Sequence, residues 1–214
     1  MARTAVAPCI YVLAGTNGAG KSSIGGAAFR AAGTSYFNPD EAAAKILERT
    51  PGMSQTEANS AAWLHGKRLL ERAISERLEF AFETTLGGGT IIRLLELALA
   101  QDFEVRVWYV GLASPEQHIA RVRARVAAGG HDIPEDKIRE RFVNSRLNLI
   151  RLLKKATEVR VYDNSVEGDP GAGKRPALRL ILWTARGRVV ETCQLDQVPE
   201  WAKPILAEAL RSTR

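Results

Sequence analysis

Apolar and polar positions along this 214-residue chain follow two periods in turn. Short apolar runs with β-branched or aromatic members lie at 9–14, 35–37, 78–84, 103–110 and 159–162, and each predicts a buried strand. The stretches between them predict helices. Residues 21–32 are rich in alanine and lack proline. Asn38 ahead of Pro39 reads as an N-cap followed by proline at the first helical position. Ser54 with Glu57 forms a capping-box pattern before a helix over 54–77. Residues 91–100 are strongly apolar, and Ser114-Pro115 opens a helix to about 128. Pro134, Glu135 and Asp136 open a last long helix to about 155, with Ile138, Phe142, Leu149 and Leu153 as its apolar stripe.

Alternating strands and helices through residue 163 predict an α/β fold, a mainly parallel five-stranded sheet with helices on both faces. The pattern changes at 177. Residues 178–184, a turn at Ala185-Arg186-Gly187, and 189–195 predict a β-hairpin, and 201–210 a closing helix. The organisation expected is a core over 1–165 with a helical lid at about 114–155. The hairpin and helix of 166–214 are appended to the same domain through the Gly- and Pro-rich segment 167–176.

The step from the first strand into the first helix carries the clearest chemistry. Gly15-Thr16-Asn17-Gly18-Ala19-Gly20-Lys21-Ser22 matches Gly-x-x-x-x-Gly-Lys-Ser in full, which predicts a P-loop NTPase fold, open at this point to a switch, a motor or a kinase. Glycines let backbone N–H groups wrap the phosphates, and the following helix adds its positive dipole end. Lys21 is expected on the β and γ oxygens and the Ser22 hydroxyl on Mg²⁺, with Ser23 also in the cradle. A second match, 168–174, has Arg175 in place of the hydroxyl residue, and Pro176 follows, so it reads as a loop.

Bulk properties narrow the partners. A net charge of +6 suits anionic ligands. Cys9 and Cys193 have neither metal nor redox spacing. The 9–14 run is too short to span a bilayer, so the expectation is a cytoplasmic protein with no membrane partner. No aromatic-interleaved basic stripe is present, which counts against nucleic acid as a partner.

A phosphate cradle becomes a kinase only with an acceptor side. Asp40 follows the second strand, at the sheet edge where ligands bind in open α/β folds, and can take a proton from a substrate hydroxyl; it equally complements the helix dipole. Glu83 and Thr84 end the third strand at the same edge and are candidates for substrate, with Glu83 also able to orient Mg²⁺ through water. Arg121 and Arg125 share one helix face, and Arg141, Ser145 and Asn148 share another. Gly129-Gly130 hinges the two helices, so a lid bringing Arg125 or Arg141 to the transition state is expected, with His131 at the hinge facing phosphate or substrate. Asn164, after the fifth strand, is the candidate for the nucleotide base.

Five stretches occur in order: Gly-Thr-Asn-Gly-Ala-Gly-Lys-Ser-Ser (15–23), Phe-Asn-Pro-Asp (37–40), Phe-Glu-Thr-Thr-Leu (82–86), Arg-Val-x-x-Gly-Gly-His-Asp-Ile-Pro-Glu-Asp (125–136) and Tyr-Asp-Asn-Ser (162–165). Together they resemble the zeta toxin family of kinases over about residues 8–165. The resemblance implies ATP (with GTP as the alternative triphosphate) and Mg²⁺ as cofactors. It implies transfer to the 3′-hydroxyl of a UDP-activated amino sugar, a small-molecule hydroxyl acceptor, and raises an antitoxin protein as partner. Asp40 matches the family's base and Glu83 its sugar-nucleotide contact. His131 stands where the toxins carry a lid arginine, and three glycines follow Thr84-Thr85-Leu86. The alternatives are a nucleic-acid-end kinase and an ATP-binding switch or partner module.

Overall fold

In the computed structural model, residues 7–22, 36–166 and 178–212 are described. Strands β1 (Cys9–Ala14), β2 (Tyr36–Phe37), β3 (Phe80–Thr84), β4 (Glu104–Gly111) and β5 (Glu158–Asp163) pair in parallel. Strands β6 (Arg179–Ala185) and β7 (Arg188–Thr192) follow antiparallel, giving one sheet in the order β2-β3-β1-β4-β5-β6-β7. The sheet therefore has seven strands where five were expected, because the C-terminal hairpin pairs with β5 and extends the sheet. Its turn is short. Arg186 and Gly187 both take positive φ (49° and 74°), the backbone hand that matches the twist of a two-residue hairpin.

Six α-helices are described: α1 (Pro39–Arg49), α2 (Gln55–Ser75), α3 (Gly89–Ala100), α4 (Pro115–Ala127), α5 (Glu135–Leu153) and α6 (Lys203–Ser212). The caps form as their residue types dictate. Asn38 Oδ1 accepts from the Asp40 and Glu41 N–H groups, and Ser54 and Glu57 close a reciprocal capping box. The helix expected over 21–32, Ser23, and the loop of the second glycine–lysine match lie wholly or largely outside the described residues.

Side-chain alternation in β1 explains the layering. Ile10, Val12 and Ala14 enter the main core, while Leu13 joins a second cluster with Ala19, Ala81 and Val110. Full burial of residues such as Ile10 and Val12 contributes roughly 1.5–3 kcal/mol each. Leu149, Leu152 and Leu153 of α5 belong to the main core, so the second half of that helix is fixed to the sheet. The C-terminal segment is anchored too. Trp201 packs where a Cβ on Gly111 would lie 2.4 Å from its ring, and its Nε1 donates to Asp163 Oδ1 at 3.2 Å. The C-terminal ends of β1, β2, β3 and β5 then meet along one edge, where open parallel sheets bind ligands.

Candidate active site

The phosphate loop leaves β1 at Gly15, whose φ is 143° and where a Cβ would sit 2.2 Å from the Val110 carbonyl oxygen. Gly18, at φ 81°, faces the His118 carbonyl with only 2.6 Å for a Cβ. Neither position accepts a side chain. The Gly15 N–H donates to the Thr84 carbonyl and the Ala19 N–H to the Thr16 carbonyl, closing the turn. Lys21 is buried. Its Nζ donates to the Thr16 carbonyl at 3.4 Å and lies 3.6 Å from Glu83 Oε1.

Glu83 is the hub of this side. Parallel pairing sets Leu13 against Glu83, so the end of β3 lies beside the start of the loop. The Glu83 carboxylate accepts from Ser22 Oγ (3.0 and 3.2 Å), Tyr36 Oη (2.7 Å) and Asn38 Nδ2 (3.1 Å), besides its pairing with Lys21. Glu83 was expected to contact substrate or to orient Mg²⁺; its carboxylate meets the phosphate loop, because β3 is the immediate neighbour of β1, and also lines the cleft beside Asp40. The Thr84 hydroxyl, expected there too, accepts from the Leu86 N–H at 3.0 Å. A serine hydroxyl against a carboxylate supplies the hard oxygen donors that Mg²⁺ prefers. Among the described residues no group of three or more His, Cys, Asp and Glu could hold a metal ion. Mg²⁺ bound with phosphates takes only one or two protein oxygens, so Ser22 and Glu83 fit it.

The helices α4 and α5 grip the loop from outside. His118 Nδ1 meets the Asn17 carbonyl oxygen at 2.8 Å, and Arg141 Nη1 donates to Asn17 Oδ1 at 2.8 Å. Ser145 Oγ lies 3.3 Å from Thr16 Oγ1 and 2.7 Å from the Tyr109 hydroxyl, whose pKa burial pushes up to about 12. Asn148 donates to the Leu86 carbonyl at 2.8 Å. The shared face of Arg141, Ser145 and Asn148 therefore lies against the loop and the end of β3. Burial lowers the pKa of Arg141, and the charges of Glu140 and Asp40 oppose that shift. Asn164, expected at the nucleotide base, donates its side-chain N–H to the Ala19 carbonyl at 2.9 Å, and its own carbonyl accepts from Arg121. That amide N–H braces the loop, because β5 ends level with it.

The acceptor side is looser. Asp40 is 43% exposed; Arg125 Nη1 stands 3.4 Å from its Oδ2 and His131 Nε2 3.6 Å from its Oδ1. Arg125 also donates to the His131 carbonyl, while its buried Nε has no partner among the described residues. Asp40 and His131 line a cleft of about 210 Å³ that also reaches Asn17, Glu83 and Arg141. It adjoins a second cleft of about 820 Å³, and Trp63, 48% exposed, lines both.

Sequence reasoning brought Lys21, Ser22, Asp40, Glu83, Arg125, His131 and Arg141 to one edge, and the structure holds them there. It missed Tyr36 and His118, and it read Asn38 only as a cap. His118 lies three residues before Arg121 and seven before Arg125, on the same helix face, a spacing that carried the signal.

A phosphate loop after the first strand, an acid on the neighbouring strand and a mostly parallel sheet define the P-loop kinase class of fold. The profile of the zeta toxin family matches residues 2–168, and the chain belongs to that family. An uncharacterized protein of Haemophilus influenzae is 33% identical over 129 residues, covering 60% of this chain and 88% of that protein. A crystal structure of AvrRxo1-ORF1:-ORF2 with ATP superposes with a TM-score of 0.67 at 15% identity, covering 96% of this chain and 64% of that one. This chain thus spans about two thirds of the length of that relative. A chain of the PezAT chromosomal toxin–antitoxin system of Streptococcus pneumoniae superposes with a TM-score of 0.56 at 14% identity, over 98% and 87% of the two chains. Among the described residues no helix is long and apolar enough to cross a membrane.

Proposed function

We propose that this protein is an ATP- and Mg²⁺-dependent cytoplasmic kinase that transfers the γ-phosphoryl group to the hydroxyl of a UDP-amino sugar. The observation that carries the reading is the single cleft in which Asp40 meets Asn17 and Glu83 of the phosphate side. In this reading the acceptor oxygen attacks the γ-phosphorus as its proton passes to Asp40. The bond from the γ-phosphorus to the β,γ-bridging oxygen breaks, and ADP leaves with the electron pair. Loop N–H groups and Lys21 hold the phosphates, while Ser22 and Glu83 would hold Mg²⁺, which would supply positive charge to the phosphates when bound. The last turn of α4, the hinge and the first half of α5 act as the lid, bringing Arg125 and Arg141 toward the transferred group, while the start of α4 stays against the loop. Family membership supports the sugar-nucleotide acceptor, and the adjoining cleft leaves room for a long one. The PezAT neighbour's toxin–antitoxin setting supports an antitoxin protein as partner.

The test is transfer of label from γ-labelled ATP into a panel of UDP-amino sugars, nucleosides, dinucleotides and oligonucleotides, run beside Asp40→Asn. Labelled UDP-amino sugar is expected, with a loss of roughly 10²–10⁴-fold in the variant. ATP affinity should stay within about threefold, because the half-exposed Asp40–Arg125 pair contributes little to the fold. Full turnover by Asp40→Asn would remove the base, and label in a different acceptor would move the substrate. ATP binding with no labelled acceptor would favour a switch.

A further inference from the structure

The geometry points to His118 as a positioning residue of the phosphate loop: its Nδ1–H fixes the Asn17 carbonyl outward and thereby turns the Gly18 N–H into the cradle. This rests on the reading that the loop binds ATP. A carbonyl oxygen only accepts, so the ring nitrogen 2.8 Å from the Asn17 oxygen must carry the proton, and His118 is the Nδ1–H tautomer when neutral. A trans peptide is planar, with its C=O and N–H pointing in opposite directions. Pinning the Asn17 oxygen toward α4 therefore sends the Gly18 N–H the other way.

A second contact closes off the alternative. The backbone of α4 abuts the loop so tightly that a Cβ on Gly18 would fall 2.6 Å from the His118 carbonyl. No ligand fits on that side, so the inward side faces away from α4. The ring is held edge-on to Phe142, with centroids 5.7 Å apart, and is 1% exposed. Burial, with further unfavourable contributions from Lys21, Arg121 and Arg146, keeps it neutral down to about pH 4. A neutral donor suits this place, because an imidazolium would add another buried cation beside Lys21.

The test compares ATP affinity and thermal midpoint for wild type, His118→Asn, His118→Gln and His118→Leu. The Asn amide nitrogen occupies the place of Nδ1, whereas that of Gln occupies the place of Nε2. His118→Asn should stay within about threefold of the wild-type Kd for ATP. His118→Gln and His118→Leu should weaken it at least tenfold, since the Asn17 carbonyl loses its donor. If affinity follows the thermal midpoint across all three, or Asn does no better than Gln, the positioning role is wrong. Should His118→Leu not fold, the Asn and Gln pair still decides. Unchanged affinity in His118→Gln overturns the role alone, whereas a wild-type chain that binds no ATP overturns the kinase reading with it.

Discussion

Glu83 and Asp40 are the two carboxylates of the site, and their surroundings differ. Glu83 is 7% exposed, accepts hydrogen bonds from three side chains and faces Lys21. Asp40 is 43% exposed and, among the described residues, meets only long contacts, 3.4 Å from Arg125 and 3.6 Å from His131. The first arrangement is preorganised: its groups cannot relax without stranding a buried charge. The second leaves a half-exposed carboxylate on the wall of a cleft. The rigid carboxylate lies beside the phosphate loop, and the open one beside the cleft.

That contrast predicts unequal responses to substitution. Glu83→Gln keeps the shape of the hub but removes its charge, so turnover should fall by 100-fold or more and the Mg²⁺ concentration needed should rise. A Mg²⁺ titration of transfer activity with little change would break the contrast, leaving Glu83 a packing residue. The second response is to pH. His118 is held near 4 in the fold against about 6.5 unfolded, so the unfolded chain takes up the proton first. Its contribution is whole above pH 6.5 and is lost as pH falls toward 4, about 2 kcal/mol between pH 7 and pH 5. Urea midpoints of wild type and His118→Asn at the two pH values check this, and equal losses would refute it. The smallest effect belongs to the open side. Trp63→Ala should raise the acceptor KM about tenfold, roughly 1.4 kcal/mol, with the ATP KM unchanged. A parallel rise in both would show that the two sides are not separable.

Much of the fold was legible because its signals are local. The apolar run of β1, the glycines of the loop, Asn38 before Pro39 and the Ser54–Glu57 pair each act within a few residues. The partners of the site side chains were not legible. Glu83 was placed at the right edge, for substrate or Mg²⁺, but its contacts with Lys21 and Ser22 were not legible, since nothing near it in the chain says that β3 pairs with β1. Asn164 had the residue type for a base contact, and nothing local told that one of its amide N–H groups would reach Ala19, 145 positions away. The hairpin was found from its turn, while its pairing with β5 depends on which edge of the sheet stays open.

By itself, the sequence determined the elements, the phosphate loop and the edge at which the chemistry sits, because backbone propensity and side-chain period act over a turn or a strand. Only the tertiary structure decided that Glu83 serves Lys21 and Ser22, that His118 holds Asn17, and that Asp40 stays half open. Those outcomes depend on strand order and on how α4 and α5 close against the loop, contacts between segments that no local period records.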